Sequence, residues 1–177
     1  YKDETSGYII VLTETCPDPK AGGGSGKNVF CNLLKLTTSY ISKPGSQVNF
    51  DEKFFQSWNY QRVFGISDLP KSFDFEFLKE PATGEFILKK LFKNETVIPC
   101  EVGPKFIVQT NYSFEVTDGG LRRRIIPLEF TDFFTRCGGV DVHYNCHFPL
   151  GWDLTDWAGY DAFIAESVQY WITCGLK

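Results

Sequence analysis

The sequence predicts an α/β domain with one core, in which a sheet of mostly parallel strands lies between helices. Three observations carry this. Apolar runs of strand length alternate with segments of helical period. The first such run leads through a glycine-rich loop straight into a helical pattern. The length, 177 residues, suits a single core. Residues 1–177 are therefore expected as one domain.

Each element has its own signal. Residues 7–13, GYIIVLT, form an apolar run without alternation, as in a parallel strand buried on both faces. A Pro- and Gly-rich loop occupies 14–24. From Gly26 onward Val29, Phe30, Leu33, Leu34 and Leu36 share one helical face, and Ser42-Lys43-Pro44-Gly45 is expected to break the pattern. Residues 51–58 predict a short helix with Phe54, Phe55 and Trp58 on one side. Residues 61–67, QRVFGIS, predict a second buried strand ending at Asp68, and 73–78 another short helix. Two β-prone runs, 85–91 and 96–100, flank the polar tip Phe92-Lys93-Asn94-Glu95 and predict a hairpin. KFIVQT at 105–110 is a third strand, ended by Asn111. RIIPLEF at 124–130 is a fourth, placed by its proline at a sheet edge or strand end. Residues 138–152 read as irregular. Residues 157–176 read as a closing helix, with Phe163, Ile164, Val168, Trp171 and Ile172 at helical spacing and Gly175 as its stop.

Composition bounds the function. Apolar residues are 42% and charged residues 23%, which excludes disordered and collagen-like chains. The formal net charge of −4 excludes a blanket basic coat for nucleic acid but leaves room for a local basic groove. No apolar stretch approaches the ~20 residues that span a bilayer, and no signal peptide opens the chain, so no membrane partner is expected. The six cysteines are spread without a CxxC pair and are expected to be mostly free thiols, in keeping with a cytoplasmic site. The chain has no methionine, so Tyr1 is not read as a translation start, and a piece of a longer protein is expected.

Residues 21–28 read AGGGSGKN between a strand and a helix, close to the phosphate-loop pattern G-x-x-x-x-G-K-[ST]. Glycines let successive backbone N–H groups turn inward around a phosphate. The helix N-terminus adds its positive dipole end, and the lysine reaches the β- and γ-phosphates. Gly22, Gly23, Gly24, Ser25, Gly26, Lys27 and Asn28 are thus the expected ATP-binding set. Two departures matter: Ala21 replaces the first glycine, and Asn28 stands where a Ser or Thr hydroxyl meets Mg²⁺. An amide oxygen can serve a hard cation, though less well. The plain alternative, a flexible loop with an incidental lysine, does not explain the flanking strand and helix. Asp68, closing VFGISD, is the expected Mg²⁺ ligand with Asn28, and Asp74 and Glu76 lie near enough to assist. Ser67 stands where a second acid is usual. A helix-capping role is the plain reading of Asp68.

Taken in order, AGGGSGKN, VFGISDLPKSFDFEFL, TGEFILKK, IPCEVGPKFIVQTNY and GGLRRRIIPLEF resemble a superfamily 3 helicase domain. The likeness is to the helicase part of phage and mobile-element primase-helicases related to the poxvirus-type enzymes. The tail, GWDLTDWAGYDAFIAESVQYWITCGL, resembles the stretch closing that domain, so the likeness runs from about residue 8 to the end. It implies an AAA+-like P-loop NTPase that uses ATP and Mg²⁺ and assembles into a ring, usually a hexamer, around single-stranded DNA. It further implies a primase or polymerase domain in the same full-length chain and the cytoplasm of a bacterial host.

The same resemblance distributes roles. Lys27 matches the phosphate-loop lysine, Asp68 the second acidic position of the metal motif, and Asn111 the polar sensor near the γ-phosphate. Arg124 matches the arginine finger that reaches a neighbouring subunit's nucleotide, with Arg123 as second choice. The 85–100 hairpin matches the element pointing into the central pore, with Lys89, Lys90 and Lys93 on phosphates and Phe92 as a stacking side chain. Plain readings stand beside these: a solvated arginine run, lysines guarding a strand edge, an asparagine in a turn.

The function implied is an ATP-dependent DNA helicase or translocase motor. The alternative is a nucleotide-binding ring-assembly module with weak or no ATPase activity, which Asn28 and Ser67 favour. A phosphate-loop kinase would leave the hairpin and the arginines unexplained. Cys137, His143, Cys146 and His147 fall close together, but their spacing fits no common zinc pattern and they are read as loop residues.

Overall fold

In chain order the elements are β1 (Ile9–Glu14), α1 (Lys27–Thr37), β2 (Tyr40–Pro44), two 3₁₀ turns (Gly45–Gln47 and Glu52–Phe55), β3 (Val63–Ser67), α2 (Glu76–Thr83), β4 (Phe86–Leu88), β5 (Thr96–Ile98), β6 (Lys105–Gln109), α3 (Gly119–Arg122), β7 (Ile125–Phe130), α4 (Phe133–Arg136), α5 (Val140–Tyr144) and α6 (Leu154–Cys174). This computed structural model describes residues 7–15, 23–48 and 52–175. Five strands pair in the order β2-β3-β6-β1-β7, every pairing parallel, and β4 and β5 form a separate antiparallel hairpin. The α/β class expected from the sequence, with a sheet of parallel strands between helices, is the class observed.

The unalternated apolar runs have the cause anticipated for them: the inner strands are covered on both faces. On one face Ile9, Val11, Phe64, Ile66, Phe106 and Val108 meet the aromatic side chains of Phe54, Phe55 and Trp58, together with Leu78 of α2 and Phe86, Leu88 and Ile98 of the hairpin. Phe55 is the hub, with ring contacts to Phe54, Phe64, Phe77, Phe86 and Phe106. On the other face Leu12 and Ile107 pack beneath Cys31, Phe30 and Leu34 of α1.

Several boundaries differ from expectation. Ser42-Lys43-Pro44 does not merely stop a helix; it belongs to edge strand β2, which is half-exposed and so carries no apolar alternation to read. Residues 73–78 are helical only from Glu76, and α2 runs on to Thr83 through Pro81, the sixth residue of an eight-residue helix. The hairpin strands are three residues each, shorter than the β-prone runs. Within 138–152, read as irregular, α5 forms one helical turn and more. The closing helix begins at Leu154 because Asp153 and Asp156 make a reciprocal capping box.

Each edge strand carries one proline. In β7 the carbonyls of Arg124 and Phe130 accept from Ile9 and Thr15. Alternate residues therefore face β1, and Pro127 turns its nitrogen to the free side. In β2 the carbonyl of Ser39 accepts from Val63, so by the same alternation Pro44 also faces outward.

Candidate functional site

The site is built at the C-terminal ends of the strands, where parallel α/β sheets place their ligands. Chain leaving β1 returns through Gly23, Gly24 and Gly26, which have φ of 128°, 83° and 97°, conformations that favour glycine. Gly26 immediately precedes α1, so the helix opens with Lys27 on its first turn. Gly22 lies outside the described residues.

Lys27 and Ser25 are both buried, and both are held by Glu14 at the end of β1. The Lys27 ammonium pairs with the Glu14 carboxylate, the Ser25 hydroxyl donates to the same oxygen at 2.9 Å, and Lys27 Nζ lies 3.2 Å from Ser25 Oγ. Glu14 was missed from the sequence. Its partners lie 11 and 13 residues onward and meet it only when the loop closes.

In front of the loop is a cleft of about 390 Å³. Ser25, Lys27 and Asn28 line it from the loop side, and Asp68, Gln109 and Asn111 from the strand ends. Asp68 follows β3 with a left-handed φ of 51°, which a short carboxylate side chain tolerates better than most. Leu69 N donates to Gln109 O and Thr110 N to Leu12 O, which stitches the three strand ends into one rim. Residues 138–142 close the far wall. The 135–140 segment is held against the loop, for Thr135 Oγ1 donates to Gly23 O at 3.1 Å and a Cβ on Gly26 would sit 3.4 Å from Val140.

Beneath the loop lies a buried polar cluster. Gln109 Nε2 donates to Cys31 Sγ at 2.8 Å. Burial, and then the charge and hydrogen bond of the Cys31 sulfur, push the Tyr40 phenol far above its ordinary range. Gly65 makes room for that ring: a Cβ there would lie 2.1 Å from Tyr40 Oη.

Neither Arg123 nor Arg124 lines this cleft. Arg124 precedes Ile125, the partner of Ile9 at the start of β1, so it sits at the opposite end of the strands. Five residues at ~3.3 Å separate the two ends of β1, or roughly 17 Å. Arg124 Nη1 donates to Gly120 O at 3.0 Å and Arg123 Nε to Gly119 O at 3.2 Å. Asp118 caps that turn. The Leu121 N–H, followed by the Lys79 ammonium at 3.2 Å, holds its carboxyl below the usual range.

At the hairpin, Phe92 projects fully exposed from a tip with left-handed φ, and Lys90 and Lys93 are on the same turn. Lys89 is not a bare cation, because its ammonium lies 2.6 Å from Glu95. His147 pairs with Asp141 at 2.7 Å, and the His143 ring packs edge-on against Phe133, Phe134 and Tyr144. Cys31, Cys100, Cys137, Cys146 and Cys174 are free thiols.

No protein-family model and no curated protein matches the chain. The fold is shared with a solved structure. The apo A-form structure of the NrS-1 C-terminal region aligns with 89% of this chain and 34% of its own, at a TM-score of 0.51 and 16% identity. Two JCV helicase structures, one carrying a bound thiazolopyridine acetamide, align at 16% identity over 78% and 71% of this chain and 40% and 36% of theirs, at TM-scores of 0.47 and 0.36. These two overlaps are too slight to carry an argument. This chain spans about a third of the NrS-1 structure, and at 16% identity the likeness shows fold alone. No helix among the described residues is long and apolar enough to cross a membrane.

Proposed function

We propose that the chain is the motor domain of an ATP-dependent DNA helicase or translocase of superfamily 3 type. A single observation carries the reading. The glycine-rich loop with Lys27, Asp68 and Asn111 come from three separate places in the sequence and line one cleft at the switch point of a parallel sheet. The donor set fits the cofactors. Loop N–H groups and Lys27 suit a polyphosphate, and the Asn28 amide and Asp68 carboxylate offer the hard oxygens that Mg²⁺ takes. Bound Mg²⁺ would neutralise charge on the phosphates. Asn111 would orient the attacking water.

Arg124 lies too far from its own cleft to serve it, so a role in hydrolysis requires a second copy of the chain. That supports assembly into a ring, with a hexamer as the expected form. The hairpin would then present Lys90, Lys93 and Phe92 to single-stranded DNA in the pore, and Lys89 once its pairing with Glu95 is exchanged. The parent protein is proposed to be a phage or mobile-element primase-helicase acting in a bacterial cytoplasm.

Steady-state and single-turnover ATPase assays with and without single-stranded DNA test the reading. DNA-stimulated turnover that disappears in Lys27→Ala and in Arg124→Ala is the expected result. Nucleotide binding with no turnover at any DNA concentration refutes the motor. It would favour the second reading, a ring-assembly module, for which Ser67 and Asn28 at the metal site are the specific observations.

A further inference from the structure

A second cavity, of about 620 Å³, lies at the opposite end of the sheet from the phosphate loop. It is formed where the chain enters β3 and β6 and where α1 hands over to β2. Tyr60, Arg62, Lys105, Thr38, Glu101 and Val102 line it. Backbone bonds hold these entries together: Lys105 N donates to Arg62 O at 2.8 Å, Arg62 N to Ser39 Oγ at 3.0 Å, and Val63 N to Ser39 O at 3.1 Å.

Tyr60 is the unusual member. It is 57% exposed, yet its backbone is fixed at a φ of 61°, a conformation that costs a bulky residue energy. The turn holding it is tied down twice. The indole of fully buried Trp58 donates to Gln61 O at 2.8 Å, and Asn59 N donates to Gln61 Oε1 at 2.7 Å. The Tyr60 ring lies 4.9 Å from the Trp58 ring, which supports it from within. A strained, braced aromatic side chain is thus displayed beside two cations and one carboxylate.

We infer that this cavity binds one nucleotide unit of a single strand of nucleic acid, with the base on Tyr60 and the diester phosphate on Arg62 and Lys105. The size falls within the ~300–1,000 Å³ of small-ligand sites. An exposed ring beside cations is what strand binding without sequence preference requires. A free nucleoside polyphosphate is the poorer fit, since among the described residues neither a glycine-rich loop nor a helix N-terminus faces the cavity. Position agrees, because the 99–104 segment that rims it runs directly from hairpin strand β5 into β6. Val102 N and Gly103 N both donate to Pro99 O at 3.0 Å and stiffen that rim. The inference rests on the motor reading for its purpose, and it extends the strand's path beyond the hairpin to the foot of the sheet.

Fluorescence anisotropy of dye-labelled oligothymidylate against this chain tests the site. Tyr60→Leu, which keeps an apolar side chain over Trp58, is expected to weaken binding about fivefold or more, whereas Tyr60→Phe retains it. Arg62→Gln is expected to weaken binding and lower the slope of log affinity against log salt by about 0.7. Tyr60→Gly relieves the backbone and should keep or raise the melting temperature while losing affinity, which separates binding from folding. If Tyr60→Leu and Arg62→Gln bind within twofold of wild type while Lys90→Ala and Lys93→Ala lose affinity, the hairpin alone holds the strand and this inference fails, though the motor reading stands. Competition by thymidine monophosphate at equal concentration would overturn it in favour of a free-nucleotide site. Absence of strand binding by the wild type, with ATP still bound, would overturn both.

Discussion

Replacing Glu14 by Gln separates what that residue does for the fold from what it does to the ligand. In the structure Glu14 is the partner of Lys27, and the two side chains are 10% and 8% exposed. Removing one partner of a fully buried pair costs roughly 3–5 kcal/mol. Here Ser25 remains beside Lys27 and the open cleft admits water, so about 2 kcal/mol is the better figure. For a domain of this length that lowers the melting temperature by roughly 4–8 °C. A phosphate chain must compete with Glu14 for the same ammonium, so the variant should bind MgADP more tightly, by roughly tenfold if about 1.4 kcal/mol of pairing is no longer surrendered. Differential scanning fluorimetry with and without MgADP, alongside calorimetric titration, reads both quantities. A variant that melts lower and is rescued past the wild type by MgADP meets the expectation. One that melts lower and also binds MgADP more weakly would show that Glu14 shapes the loop for the ligand rather than competing with it.

Three further outcomes follow from particular contacts. Gly65→Ala places a Cβ 2.1 Å from Tyr40 Oη and should cost about 1–3 kcal/mol in a urea titration, with Tyr40→Leu in the same chain recovering part of the loss. Because the Tyr40 phenol is pushed up by burial, its contribution is complete below the ordinary tyrosine value near ~10 and is lost as pH rises beyond it. Tyr40→Phe should therefore flatten the alkaline limb of stability, and the wild type should show no 295 nm tyrosinate rise at Tyr40 before unfolding. Asp118 is held low, so its contribution is present above the ordinary aspartate value near ~4 and lost as pH falls through its folded value. The gap in urea midpoint between wild type and Asp118→Ala should be widest at neutral pH and narrow in acid.

How much was legible depended on how local each signal was. The β1–loop–α1 unit could be read because its apolar run, glycines and helical face are contiguous. The places of Asp68 and Asn111 on the cleft rim were legible because each lies within two residues of the end of a buried strand. Strand β2 escaped because a polar, half-exposed edge strand ending in Lys-Pro-Gly looks like a helix stop. Glu14 and Gln109 escaped because their meaning lies in contacts with Ser25, Lys27 and Cys31, which no spacing rule connects. The wall at 138–142 was hidden by two glycines and a stretch without apolar period. For α6 the spacing of Phe163, Val168, Trp171 and Ile172 did predict a helix, but none of its residues is buried. It is moored near its start, where Tyr160 Oη donates to Leu33 O at 2.8 Å.

The outward-facing prolines at the two sheet margins have a consequence for how copies of this chain can meet. A free parallel edge is ordinarily a template onto which any extended segment can zip by backbone bonding, regardless of sequence. Pro127 interrupts one margin and Pro44 terminates the other, each removing a donor on the open side. Backbone zippering is thereby discouraged, and a neighbour must be recognised through its side chains. Contacts of that kind can be broken and remade without unravelling a sheet, as the ring of copies proposed above requires.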